Sequence, residues 1–311
     1  MRLQGLHHIT MITADARRNV EFYADVLGLR LVKKTVNFDQ PEAYHLYFGD
    51  EHGSPGSILT WFEFPGATPG RAGAGAIHRI ELAVSGEESL GFWEQRLGAR
   101  GYAASRDGAA VRFADYDGLD FALVVASDGN PPLRAVHPDI PAEHAIIGVA
   151  GARAFAPIGV VGEEAGLLTE TLGFASLGDG RYRLDGERRR FDYAYDPAPA
   201  DPAVPGAGSI HHIAWASLDA DHLGWQRAAR DAGRHVTEVL DRDYFKSIYF
   251  REPRHVLFEI ATLSPGFAVD EDAAHLGEAL RLPPQHEHLR AHLEQTLRPV
   301  HNPRADAPVR P

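Results

Sequence analysis

Apolar and polar positions along this chain follow two periods in turn, a strand-like one and a helical one, and the switch between them recurs. Leu6–Thr13 is a largely apolar run rich in β-branched residues and reads as a strand. Asp15 stands where a helix cap belongs, and Val20, Tyr23, Ala24 and Leu27 recur at helical spacing over Ala16–Leu27, with Gly28 as the stop. Three strand-like runs follow, Arg30–Val36, Tyr44–Phe48 and Ile58–Phe64, the last two joined by a turn-rich stretch over 49–56. The same order opens again at Ala76–Val84, with a helix over Glu87–Leu97 and strands near Gly101–Ser105, Ala109–Asp115 and Asp120–Val125. A third, more degenerate round starts on the apolar run Ala145–Val149. It passes through a helix over Glu163–Leu172 to strands near Arg181–Leu184 and Arg190–Tyr195. The fourth opens at Ile210, continues through a helix over Asp219–Ala232 and closes on Val256–Thr262.

Four copies of one unit of about 50–60 residues make an internal repeat, and a repeat outranks any element-by-element reading. The expected fold class is α+β, with four βαβββ modules at 1–66, 76–127, 143–197 and 209–264. Two stretches rich in Pro, Gly and Asp or Ala, Ser127–Pro141 and Pro197–Gly208, read as linkers. The modules group into an N-terminal pair, 1–127, and a C-terminal pair, 143–264, forming two curved-sheet, barrel-like halves. Residues 265–311 lie outside the repeat as a C-terminal extension. They carry one amphipathic helical stretch, His286–Leu297, on which His288 and His292 share a face. His286 does not complete a metal-binding set with them, and a solvated helix is expected there.

Laying the copies over one another locates the candidate chemistry. The first strands of copies one and four carry His doublets, His7-His8 and His211-His212; copy two has Arg79 at the second position, and copy three has no His inside its first strand. On the last strand copy four has Glu259 and copy two has Ala122. Copy one has Trp61 when Pro55 is aligned without gaps onto Pro253. Two imidazoles and one carboxylate, each on a strand, make the ligand set of a mononuclear non-haem iron site with open positions. The blander alternatives are hydrogen-bonded core histidines and a buried ion pair between Glu259 and an arginine such as Arg242. A buried carboxylate costs several kcal/mol unless paired or coordinated.

Composition narrows the field. The chain has 311 residues, 44% hydrophobic and 24% charged, within the range of ordinary globular proteins. A net charge of −12, with no basic cluster beyond Arg188-Arg189-Arg190, argues against nucleic acid as a partner. There is no cysteine, so disulfides, thiolate metal sites and a Cys nucleophile are excluded. No apolar run approaches the ~20 residues of a membrane helix, and no export signal precedes the first strand, so no membrane partner and a cytoplasmic location are expected.

The repeat, the doublets His7-His8 and His211-His212, the segments Tyr44-His45-Leu46-Tyr47-Phe48 and Gly266–Asp272 with Leu276-Gly277, together with Tyr249 and Glu259, resemble the vicinal oxygen chelate superfamily of glyoxalases and extradiol dioxygenases. Within it they resemble the hydroquinone ring-cleaving dioxygenases over nearly the whole chain. That resemblance implies metal ligands at His8, His212 and Glu259, with His7, His211, Arg242 and Tyr249 acting beside them. It implies Fe(II), with Mn(II) as the other candidate, and an extradiol-type reaction of a small aromatic substrate with O2. A homo-oligomer is a further possibility. Two departures stand out: Asp115-Tyr116-Asp117-Gly118, where relatives read Asp-Pro-Asp-Gly, and Arg254-His255 in a turn usually rich in Gly. The alternatives are a metal-dependent glyoxalase-like isomerase and a metal-free protein that binds an aromatic compound. An isomerase would want a carboxylate in copy one as well, where Trp61 stands, or Glu63 if the alignment slips by two. Ligands from copies one and four can meet only if those two copies pair into one sheet.

Overall fold

The computed structural model describes residues 1–127, 129–157, 166–187 and 189–304. The first module is β1 (Leu6–Thr13), α1 (Ala16–Val20) running on as a π-helical stretch over Glu21–Val26, β2 (Arg30–Val36), β3 (Tyr44–Gly49) and β4 (Ile58–Glu63). Asp15 caps α1 by accepting from the backbone N–H groups of Arg17 and Arg18. Gly28 ends the helical segment at φ +71°, a conformation glycine adopts at little cost. The second module is β5 (Ile77–Val84), α2 (Glu87–Ala99), β6 (Ala104–Asp107), β7 (Ala110–Ala114) and β8 (Asp120–Val125). The third is β9 (Val149–Ala156), a π-helical turn Leu167–Thr171, β10 (Ala175–Gly178), β11 (Arg181–Asp185) and β12 (Arg190–Pro197). The fourth is β13 (Ile210–Ser217), α3 (His222–Asp231) after the 3-10 turn Asp219–Asp221, β14 (Leu240–Asp241), β15 (Lys246–Arg251) and β16 (Leu257–Thr262). Among its described residues the extension contributes three 3-10 turns, the last Pro284–Leu289, and α4 (Arg290–Thr296).

The third module corrects the expectation. Its first strand begins at Val149, where the apolar run 145–149 ends, and runs through the alanine- and glycine-rich Ala150–Ala156. Ala145 and Ile146 are buried, but in irregular backbone. Their apolar character reports burial; it does not report strand pairing. Residues 163–165 of the helix expected over Glu163–Leu172 lie outside the described residues.

The sixteen strands among the described residues form two eight-stranded sheets, ordered β14-β15-β16-β13-β1-β4-β3-β2 and β10-β11-β12-β9-β5-β8-β7-β6. The first module therefore joins the fourth, and the second joins the third. At each centre two modules meet through their first strands, β1 with β13 and β5 with β9, both antiparallel. Within a module the first strand runs parallel to the last. Ile9 and Met11 of β1, Ile213 and Trp215 of β13 and Phe258 and Ile260 of β16 face the main hydrophobic core. The alternate residues turn to the opposite face, as the two-residue period of a strand requires. There a smaller cluster gathers Val32, Tyr47, Ala214, Phe245, Ala261, Phe267 and Leu276. No helix among the described residues is long and apolar enough to cross a membrane.

Candidate metal centre

The register of three strands builds the site. In the β1–β13 pair Thr10 lies opposite His212 and His8 opposite Ala214, so the two histidines are diagonal neighbours on one face. In the parallel β13–β16 pair Ala214 lies opposite Glu259. His8, Ala214 and Glu259 thus form a row across three strands. The small, fully buried Ala214 leaves a gap that the two longer side chains close over.

Into that gap three donor atoms converge. His8 Nε2 lies 3.3 Å from His212 Nε2 and 3.3 Å from Glu259 Oε2, and His212 Nε2 lies 2.8 Å from Glu259 Oε2. Three donors on one face of an octahedron, with bonds of 2.0–2.2 Å, stand about 3.0 Å apart, so the spacing suits a first-row divalent ion. All three side chains are buried, and this is the cluster of metal-ligating groups found among the described residues. Glu259 Oε1 accepts from the Ser247 hydroxyl, whereas Oε2 lacks a hydrogen bond of proper geometry. A buried carboxylate oxygen left facing two imidazole nitrogens is what a cation would satisfy. Burial alone would raise the Glu259 carboxyl, but His8 and His212 outweigh it and hold the group well below the usual carboxylate range. Burial lowers His212, with Glu259 opposing. The Glu259–Arg242 ion pair considered from the sequence does not form.

Each of the two converging histidines lies beside its sequence neighbour. His7 Nδ1 is 2.8 Å from His8 Nδ1, and His211 Nδ1 is 2.7 Å from His212 Nδ1. With a cation on Nε2, each of His8 and His212 would carry its proton on Nδ1 and donate it to the adjacent ring, which would set tautomer and orientation. His7 is buried against Phe245 and is lowered to about 3 by burial and by His8. His211 is exposed and meets Phe62 edge-on.

Beside the donors lies a small cavity of about 30 Å³. Arg242 and Tyr249 both line it, as do His8 and His212. Tyr249 meets the His212 ring edge-on at 5.6 Å, and the Arg242 guanidinium lies 5.8 Å from the Tyr249 ring. Burial and Glu259 push the Tyr249 phenol upward, so it stays protonated as a donor. Arg242 also pairs with Asp39, at 3.2 and 3.4 Å.

The sequence reading missed several lining residues. His45 and Tyr47 come from β3; the Tyr47 hydroxyl is 2.9 Å from His45 Nδ1, and His45 Nε2 pairs with Thr60. Burial, then His8 and His212, lower His45 well below its ordinary value. Its signal was present, a lone polar residue two positions before a tyrosine in an apolar strand. Phe245 and the segment Asn37–Asp39 carried none.

The register also corrects the copy-one alignment. Thr10 lies opposite Thr60 in β1–β4 as Ala214 lies opposite Glu259, so the counterpart of Glu259 is Thr60, not Trp61. The cause is turn length. Asp50 Oδ1 accepts from the N–H groups of His52 and Ser54, as Glu252 accepts from those of Arg254 and Val256. After this shared turn copy one inserts extra residues before its strand. An ungapped alignment skips them.

Two curled sheets of paired βαβββ modules with a His, His, Glu cluster define the class, and the chain belongs to the glyoxalase/bleomycin resistance protein/dioxygenase superfamily, whose family model matches residues 5–123. Glyoxalase I from Zea mays shares the fold, with a TM-score of 0.58 at 14% identity, over 84% of this chain and 92% of that one. Within the superfamily the chain groups with the ring-cleaving dioxygenases. It is 41% identical to a Bacillus subtilis protein provisionally named ring-cleaving dioxygenase MhqO, over 96% of this chain and 97% of that one. It is 31% identical to the chlorohydroquinone/hydroquinone 1,2-dioxygenase of Sphingobium indicum, over 95% and 96%. A crystal structure of a provisionally named Bacillus subtilis dioxygenase superposes with a TM-score of 0.88 at 38% identity, over 96% and 98%.

Proposed function

We propose that this protein is an Fe(II)-dependent dioxygenase that opens the ring of a hydroquinone with O2, Mn(II) being the other ion that the donor set suits. The observation that carries the reading is the buried His8, His212, Glu259 triangle opening onto a cavity lined by Arg242 and Tyr249. The hydroquinone dioxygenase of Sphingobium indicum, similar over almost its full length, supports the choice of substrate class. His8, His212 and Glu259 would hold a ferrous ion, which would supply the one-electron chemistry that makes O2 reactive toward an aromatic ring.

The protein's own groups do the rest. His7 and His211 fix the ligand tautomers. The Arg242 charge favours ionisation of a phenol placed beside it, and the protonated Tyr249 hydroxyl can donate to the resulting oxygen. Phe62, Phe245 and Tyr47 supply apolar walls for the ring. A catechol brings two adjacent oxygens and orients itself by chelation. A hydroquinone offers one, so its ring must be placed by walls and hydrogen bonds, which this pocket has. Misplacement by ~1 Å can cost ~100-fold in rate. The isomerase alternative wants a second carboxylate, and the position holds Thr60.

The test is O2 uptake by iron-loaded enzyme with matched hydroquinones and catechols. Hydroquinones should be preferred, and Tyr249→Phe should lower turnover about 10–100-fold while leaving iron content unchanged. Preference for catechols, or no uptake with either, overturns the reading.

A further inference from the structure

The C-terminal extension is fastened along β2 as far as the mouth of the cavity. The fully buried Lys33 Nζ is held by Asp270 at 2.6 Å and by Glu271. Gly277 passes so close that a Cβ would stand 2.1 Å from the Leu31 carbonyl oxygen, and Arg281 N donates to Lys34 O at 2.9 Å. The chain then turns through Pro284–Leu289, where the half-buried His286 Nε2 lies 2.8 Å from the carbonyl oxygen of Phe38. A carbonyl can only accept, so Nε2–H donates. Phe38 and Asp39 belong to the cavity rim, and both engage Arg242: the Phe38 ring at 5.5 Å and the Asp39 carboxylate at 3.2 Å. By contrast His288 and His292, the pair that shares a helical face in the sequence, are exposed.

We propose that the extension works as part of the binding pocket, and that His286 is a positioning residue that holds the Phe38–Asp39 rim against Arg242. The functional consequence rests on the reading of the cavity as a phenol site. The rim comes from an irregular connection between β2 and β3. Among the described residues a single donor from outside the repeat restrains its backbone, and through it the cation–π and ionic contacts that aim Arg242.

Two measurements on His286→Ala and His286→Gln test this, with Phe38→Ala as a variant that leaves the extension's own side chains intact. The first is amide hydrogen exchange in the peptide spanning residues 36–42. The second is the dissociation constant of phenol, a one-hydroxyl ligand, for iron-loaded protein without O2. His286→Ala should speed rim exchange and weaken phenol binding roughly five- to tenfold, the range of one lost hydrogen bond. Iron content and melting temperature should stay at the wild-type values. His286→Gln keeps a donor and should restore most of both, and Phe38→Ala should weaken phenol binding to a similar degree. Unchanged rim exchange, or unchanged affinity, in His286→Ala overturns the proposal. If wild-type protein binds no phenol, the functional reading fails instead, and the exchange measurement alone decides whether His286 holds the rim.

Discussion

The two sheets are built to one plan and differ in what their matching positions carry. The pair Thr10–His212 at the centre of one sheet corresponds to Glu81–Gly151 at the centre of the other, which places Arg79 at the position of His8 and Gly151 at that of His212. Ala194 and Ala122 stand where Glu259 and Thr60 stand, respectively. A Cβ at Gly151 would stand 2.8 Å from the Asp192 carbonyl oxygen, so any side chain there requires the backbone to shift. Charged groups are more numerous on the second sheet, yet they satisfy one another. Arg79 pairs with Asp120 at 2.9 Å, Arg153 with Asp196 at 2.8 Å and Arg183 with Asp192 at 2.7 Å. Their side chains are 21–48% exposed, whereas Glu259 is wholly buried. A ligand site therefore needs donors withdrawn from water and left without a cationic side-chain partner. A face crowded with mutual ion pairs offers none.

The comparison breaks most completely at the gap. Glu259→Ala, or Ala214→Leu, which fills the space that the donors close over, should abolish stoichiometric iron retention, measured by metal analysis after anaerobic loading. Ala214→Leu should also cost about 1–3 kcal/mol of stability through overpacking. Full iron retention in either variant would remove the site from this position.

A substitution that makes the first sheet more symmetric sharpens the contrast. Thr60→Glu places a second carboxylate at the counterpart of Glu259. A fourth protein donor should keep the ion but occupy a position that the reaction needs open, lowering O2 uptake by about 10–100-fold at unchanged iron content. Wild-type turnover in that variant would show that the fourth position plays no part.

Smaller effects belong to the second sheet. His78, the counterpart of His7, is lowered from its ordinary value by burial, with Asp196 opposing. Its folded value lies below its unfolded one, so the unfolded chain takes up the proton first as pH falls below about 6.5, and stability drops with it. The slope is at most about 1.4 kcal/mol per pH unit for one proton. Urea titrations between pH 7 and 5 should show His78→Asn losing less stability than wild type; parallel losses would refute the assignment. Last, Arg79→Ala removes a partly exposed ion pair and should cost under about 1 kcal/mol, with iron content and turnover unchanged. A loss of iron there would mean that the two sheets are coupled.

What the sequence determined by itself was local and periodic. The four-fold recurrence, the α+β class, the doublets at residues 7–8 and 211–212 and the lone acid at Glu259 are all readable, because strand and helix periods and the rarity of buried charge leave marks on neighbouring residues. Other features depended on tertiary structure. That β1 pairs with β13, and so brings His8 near a residue 204 positions away, is set by which edges meet. That Thr60 rather than Trp61 matches Glu259 is set by turn length, which an ungapped alignment passes over. Ala214 is unremarkable in the sequence and becomes decisive only as the gap between two long side chains. His286 reads as one more polar residue on a solvated helix until the extension folds back along β2 and brings it to Phe38. Such contacts join residues far apart in the chain, and no local pattern records them.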